Sequence, residues 1–254
     1  GWGMAGGVWE AMQMKASAKA SIDQQGHVTV SSATTDIGTG TYTVMTQIAA
    51  DAAGVMPQDV TFVLGDSSLP TAPLQGGSFT VSSVGSAVRQ ACLVLRTKVL
   101  AFARQRYPEI GATAAQDIAF GDGYLHAGEH RFAIADIVAQ ASAGAFDVQI
   151  DAEPGARRAP FATATHSAVF VEVQVDEDLG TIKVTRVLSA VAAGRVVNPK
   201  TARSQILGGV VWGLGMALHE QTQTDHRLGR FLNHNLAEYH IPVQALSLMH
   251  ISEP

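Results

Sequence analysis

His166–Ala190 reads HSAVFVEVQVDEDLGTIKVTRVLSA. Apolar and polar residues alternate through Ser167–Val175 (SAVFVEVQV), Asp176–Gly180 turns the chain, and Thr181–Ala190 (TIKVTRVLSA) returns. Period-two runs flanking a short turn predict an antiparallel hairpin, the strongest such signal in the chain. Beyond it, Asn198-Pro199 opens a loop, and Thr201–Leu218 is apolar-rich and helical in spacing despite its glycines. Ahead of it, Glu153-Pro154-Gly155-Ala156 marks a junction.

Upstream of that junction, strand and helix patterns mix. Gly26–Ser32 (GHVTVSS) alternates as a strand, Gly38-Thr39-Gly40-Thr41 breaks it, and Tyr42–Ala53 (YTVMTQIAADAA) is helical until Gly54 and Pro57. Val60–Leu64 predicts a second strand, and Leu69–Gly77, with two prolines and Gly76-Gly77, a loop. Val84–Arg104 carries Val88, Cys92, Leu95, Val99 and Phe102 at helical spacing. Tyr107–Gly155 is less regular, with a hairpin turn at Gly121-Asp122-Gly123 and a short helix near Ile134–Ala141. The order predicts an α+β fold of two similar-sized units, residues 1–155 and 156–243.

Composition narrows the function classes. Of 254 residues, 46% are apolar and 15% charged, enough to bury a core and to exclude a disordered or fibrous chain. Seventeen basic against 22 acidic residues disfavour a broad nucleic-acid binder. The single cysteine, Cys92, excludes a disulfide framework and a Cys-rich zinc or iron–sulfur site, and its place in the apolar run Ala91–Leu95 predicts a buried thiol. No apolar stretch reaches the ~18 residues of a membrane span. The start, Gly1-Trp2-Gly3-Met4, has no signal-peptide pattern and no initiator methionine, which points to a fragment or a processed chain.

Two loops place glycine and hydroxyl residues ahead of predicted helices: Asp36-Ile37-Gly38-Thr39-Gly40-Thr41 and Gly76-Gly77-Ser78-Phe79-Thr80-Val81-Ser82-Ser83. Helix N-termini present unsatisfied N–H groups and partial positive charge, so such loops suit an anion such as a pyrophosphate; ordinary helix capping by Ser and Thr is the competing reading. No Gly-Lys-Ser/Thr follows either loop, and Gly38-Thr39-Gly40 lacks the third glycine of a dinucleotide fingerprint. In Asn198–Gly215 (NPKTARSQILGGVVWGLG), Gln205 is an amide able to donate and accept at a heterocycle edge, while the glycines equally suit packing. Neither an HExxH zinc motif nor a G-x-S-x-G nucleophile elbow occurs.

Taken in order, TDIGTGTYTVMTQIAAD (Thr35–Asp51), GDSSLPTAPLQGGSFTVSSVGSAV (Gly65–Val88), HSAVFVEVQVDEDLGTIKVTRVLSA, VNPKTARSQILGGVVWGLGMALHE (Val197–Glu220) and GRFLNHNLAEYHIPV (Gly229–Val243) resemble the molybdenum-binding large subunit of the xanthine dehydrogenase/aldehyde oxidase family. The resemblance covers nearly all of residues 1–243. It implies two packed α+β units of that family's molybdopterin-binding type. The implied cofactor is molybdenum–molybdopterin, in bacterial members usually the cytosine dinucleotide form. Carried over by position, Gly38, Thr39 and Gly40 approach the cofactor near the metal and pterin. Gly77, Ser78, Thr80, Ser82 and Ser83 cradle its phosphates and nucleotide, and Gln205 hydrogen-bonds the pterin. Val8 and Trp9 fall where relatives line the substrate.

The implied activity is hydroxylation of an aldehyde, or alternatively an N-heterocycle, with water as oxygen source. Electrons then leave through [2Fe–2S] clusters and FAD on partner subunits. A cytoplasmic location is implied, with periplasmic export on a signal-bearing partner as the alternative. The family's Gly-Glu motif bearing the base glutamate does not follow Val243, and Gln244–Pro254 (QALSLMHISEP) departs from the family pattern as a non-native tail would. The expectation is a fragment without catalytic residues or protein metal ligands of its own, inactive alone. A non-catalytic molybdopterin-binding remnant and a plain α+β interaction domain are the alternatives.

Overall fold

The computed structural model describes residues 1–142, 146–155 and 160–243. Along the chain, β1 (Trp2–Glu10), β2 (Ala16–Ile22) and β3 (Val28–Ser31) precede α1 (Thr41–Ala53) and β4 (Val60–Val63). Then come α2 (Thr80–Arg106), α3 (Pro108–Ala112), β5 (Ile118–Gly121), β6 (Tyr124–Ala127), β7 (His130–Ala133), α4 (Ile134–Val138) and β8 (Asp147–Ala152). The hairpin strands β9 (Ala164–Asp176) and β10 (Thr181–Ala192) follow, then α5 (Pro199–Leu218) and the short ladder of Thr224–Asp225 with Arg230–Phe231. The fold is mixed helix and sheet, as the element order predicts.

Contacts divide the chain into two compact units. One runs from Ala11 to Thr163; the other joins Gly1–Glu10 to the described residues from Ala164 onward. The sequence alone places the junction near residue 155 and counts the first ten residues with the first unit. They leave it because β1 pairs antiparallel with β9, Trp2 opposite Glu172 and Glu10 opposite Ala164. Ala156 of the expected junction and the expected tail, 244–254, lie outside the described residues.

The first unit is built on a sheet in the order β4-β3-β2-β8. On β2, Ala16, Ala18, Ala20 and Ile22 alternate into the core, and small alanines let helices pack close to the strand. Val28 and Val30 of β3, Phe62 of β4 and Val148 of β8 complete that face. Onto it α2 lays Val84, Val88, Ala91, Cys92, Leu95 and Val99, all buried. The sequence stripe is thus the true one, with Phe102 partly buried at its end, edge-on to Phe146 at 5.6 Å. The helix begins at Thr80, ahead of the expected Val84, so the second glycine loop runs directly into its first turn. A small sheet, β5-β6-β7, turns at Asp122-Gly123, both at positive φ, as the hairpin signal requires.

The second unit is the antiparallel sheet β1-β9-β10 with α5. The predicted hairpin is present and longer than its alternation, with an irregularity between Val184 and Arg186. Asn198 caps α5, its Oδ1 accepting the Thr201 N–H at 3.0 Å, and Pro199 stands at the first turn, where its missing N–H is harmless. Among the described residues no helix is long and apolar enough to cross a membrane.

Candidate cofactor site

In the first unit, the first glycine loop leads from β3 to the N-terminus of α1. Its centre is Asp36. The Gly38 and Gly40 N–H groups donate to Oδ1 at 2.9 and 3.2 Å, and the Tyr42 N–H donates to Oδ2 at 3.2 Å. Partial burial raises the Asp36 pKa, but the backbone N–H groups of Tyr42, Gly38, Gly40 and Thr39 outweigh it and hold the carboxyl below its ordinary value. The Thr39 and Thr41 hydroxyls bond each other at 3.1 Å.

The second loop enters α2 through two consecutive left-handed residues, Gly77 at φ 60° and Ser78 at φ 62°, both exposed. A Cβ on Gly77 would lie 2.8 Å from the Met12 methyl and the Phe79 ring, so both conformation and space demand glycine. The first turn of α2 carries no acidic residue and no side-chain cap. Its N–H groups therefore keep their partial positive charge.

Gln75 lies just ahead of the second loop. Its Oε1 accepts the Thr80 hydroxyl at 2.6 Å and has the buried Thr34 hydroxyl, next to the first loop, at 3.5 Å. Ser82 and Ser83 face the chain itself. The Ser82 hydroxyl donates to Met12 O at 2.7 Å, and Ser83 Oγ accepts the Met14 N–H at 2.9 Å. Gln13 Nε2 adds bonds to Ser82 O at 3.0 Å and Ser86 Oγ at 2.9 Å. The structure thus ties Thr80 to Gln75 beside the second loop and uses the two serines to fasten Met12–Met14. Sequence reasoning named neither Asp36 nor Gln75 as a site residue. An Asp-x-Gly-x-Gly spacing is a legible side-chain-to-backbone turn signal. Nothing local marks Gln75.

The same unit has a polar cleft of about 780 Å³ on the sheet face away from the helices, lined by Lys15, Ser17, Lys19, Ser31, Gln149 and Asp151. Its charges are largely matched: Lys15 pairs with Glu153 at 3.2 Å, Lys19 with Asp147 at 2.8 Å, and Ser17 bonds Asp151 at 2.6 Å.

The second unit holds Gln205, Val8 and Trp9. Gln205 is exposed on α5, its amide without a side-chain hydrogen bond among the described residues. Val8 and Trp9, on β1, line an apolar groove of about 670 Å³ with Val171, Val187, Val210 and Leu214. Past α5, Tyr239 donates its hydroxyl to Glu220 Oε2 at 2.9 Å, and that bond to a carboxylate raises the phenol pKa. Among the described residues no group of three or more His, Cys, Asp or Glu could hold a metal ion.

A family profile described as a molybdopterin cofactor-binding domain matches residues 1–245. The aldehyde oxidoreductase molybdenum-binding subunit PaoC of Escherichia coli K12 is 36% identical over 96% of the chain and 32% of its own length. The putative xanthine dehydrogenase molybdenum-binding subunit XdhA of the same organism is 28% identical, over 89% of the chain and 30% of the relative. The crystal structure of quinoline 2-oxidoreductase from Pseudomonas putida 86 shares the fold, with a TM-score of 0.84 at 22% identity, covering 99% of this chain and 34% of that one. The chain spans about a third of the length of the curated relatives it matches.

Proposed function

Since the chain belongs to the molybdopterin cofactor-binding domain family, we propose that it is the cofactor-holding part of the catalytic subunit of a molybdenum hydroxylase. The reaction we assign to the whole protein is hydroxylation of an aldehyde, with water as oxygen source. The PaoC match favours aldehydes over N-heterocycles. Bound molybdopterin, here the cytosine dinucleotide form, supplies two-electron oxidation at its metal. Reducing equivalents pass to [2Fe–2S] and FAD subunits.

The observation that carries this reading is the second glycine loop, held by Gln75 through Thr80 and ending in an uncapped helix N-terminus. The donor set suits the group: the first turn of α2 turns its N–H groups, and Ser78 a hydroxyl, toward a phosphate with no acidic side chain in that turn, and Gly77 lets the backbone approach without bulk. Thr80 orients that turn through Gln75, and Ser82 and Ser83 fix it from behind through Met12 and Met14. Gly38, Thr39 and Gly40 approach the pterin side, Gln205 reads the heterocycle edge, and Val8 and Trp9 line the substrate path. We assign the proton-accepting carboxylate to none of the described residues.

The test is the full-length protein purified with its partner subunits. Molybdenum by mass spectrometry and cytidine monophosphate released on acid treatment should both be stoichiometric with the chain. A protein with neither overturns the reading; molybdenum without cytidine removes only the dinucleotide.

A further inference from the structure

On the first unit's sheet, the residues that alternate with the core positions turn to the face away from the helices. Ser17 and Lys19 of β2, Ser31 of β3, and Gln149 and Asp151 of β8 stand there, around the cleft of about 780 Å³. The ladders set them in two rows. Gln149, Lys19 and Ser31 are neighbours across three strands, and Asp151 is opposite Ser17. Strand geometry puts the rows about 7 Å apart. Ser31 is the anomaly: it is 8% exposed, and of the first unit's buried hydroxyls it alone makes no hydrogen bond among the described residues. Ser17 has Asp151, Ser32 has the Ser17 carbonyl, Thr34 has Gln75, Thr41 has Thr39, and Ser83 has the Met14 N–H. Among the described residues no side-chain oxygen is both sealed from solvent and unbonded, so the Ser31 hydroxyl opens onto the cleft. A hydroxyl held in a wall, stripped of most of its hydration and left without a partner, is poised for one from outside.

Charge decides the class of that partner. Lys15 and Lys19 are each matched by an acid just beyond the lining, Glu153 at 3.2 Å and Asp147 at 2.8 Å, which leaves no surplus positive charge for an anion. One Asp151 oxygen is taken by Ser17. What remains is a mixed set: Lys19 donates, the second Asp151 oxygen accepts, and Gln149 and Ser31 do both. Hydroxyl groups, which also donate and accept, answer every member of it. Pro70 and Pro73 on the rim add apolar surface for C–H faces. We propose that this cleft binds a small uncharged polyol, a sugar or a cyclitol, with the Ser31 hydroxyl as its fixed anchor. Its volume is that of a small-molecule site. It shares no residue with either glycine loop, so the proposal goes beyond the molybdopterin reading and stands or falls without it.

The experiment follows backbone amide shifts in the 254-residue chain during titration with myo-inositol and, separately, D-glucose, with inorganic phosphate and glycine as charged comparisons. The expected result is a saturating shift at Ser17, Lys19, Ser31 and Gln149 with at least one polyol, and no saturation with phosphate or glycine. Ser31→Ala removes a hydroxyl that has no partner among the described residues, so its thermal midpoint should match the parent while the polyol Kd rises roughly three- to tenfold. Gln149→Ala, on the exposed face of an edge strand, should weaken binding by a similar factor, and it decides alone should the serine variant fail to fold. Shifts that rise linearly with both polyols, or spread evenly over the surface, overturn the proposal. Saturation by phosphate or glycine in preference to the polyols overturns the uncharged class. Parent-like polyol affinity in the variants overturns the site, because the polyol then binds elsewhere.

Discussion

Cys92 lies on α2 among Val88, Leu95 and the sheet, with its thiol sealed from water and pushed up to about 12 by burial. A thiol in that state carries almost no thiolate at neutral pH and has no path to a reagent. Alkylation by iodoacetamide, followed by mass spectrometry across a urea series, should therefore track global unfolding; modification of the native chain at the rate of a free thiol would contradict the packing. Asp36 makes a different prediction. Its folded pKa lies below the ordinary carboxylate value of ~3.9, so its contribution is complete above that value and disappears as pH falls through the lower folded one. The gap in urea midpoint between the chain and Asp36→Ala should stay constant from neutral pH to about 5 and close below about 4. A gap that widens in acid would mean that the carboxylate is not stabilised by its amides.

At the scale of elements, α2 is the beam of the first unit. Leu95, 2% exposed, is packed by the sheet as well as by its own helix, and Leu95→Ala should cost ~2–5 kcal/mol of unfolding free energy in denaturant melts. Two helix glycines contrast in kind. Gly54 ends α1 at φ 78°, and a Cβ there would sit 2.5 Å from the Phe120 Cβ and 2.9 Å from its carbonyl carbon, so Gly54→Ala adds strain and overpacking, each ~1–2 kcal/mol. At Gly85 the added Cβ would meet the tip of Ile48 at 2.9 Å, which can rotate away, so Gly85→Ala should cost less than Gly54→Ala in the same assay. Elements of this kind were legible where one strip of sequence contains its own pattern. The α2 stripe and the β9–β10 hairpin are local signals, and the structure has both, whereas Asn198-Pro199, expected to open a loop, instead starts α5 as its cap and first residue. β2 (ASAKASI) offered too little contrast between alanine and serine to show as a strand, although its alanines are the floor of the core. β1 carries apolar residues on both faces and pairs with β9, on the far side of the first unit in sequence. The site divides the same way: the glycine loops were visible, whereas the Gln75 link and the serine contacts to Met12–Met14 are tertiary and leave no spacing to read.

At the scale of the whole molecule, burial is unequally shared. The first unit holds one continuous core from Ala16 to Ala152, while among the described residues of the second unit Val187 is the one buried apolar side chain. There Trp2, Trp212 and Met216 are at least 70% exposed, on β1 and α5. Backbone ordering costs ~1–2 kcal/mol per residue, and a fully buried aliphatic side chain returns ~1.5–3 kcal/mol, so a sheet with so little buried against it has scant stability of its own. Hydrogen exchange read by mass spectrometry should resolve the two units in the 254-residue chain. Amides of β2, β3 and α2 should exchange through global unfolding, and those of β9 and β10 through local opening, faster by tenfold for each ~1.4 kcal/mol of difference. In the full-length polypeptide, of which this chain corresponds to about a third in its relatives, the gap should narrow as further segments cover β1 and α5. Equal protection of both units in the 254-residue chain would show that the β1-β9-β10 sheet draws its stability from its own long antiparallel ladders and needs no covering.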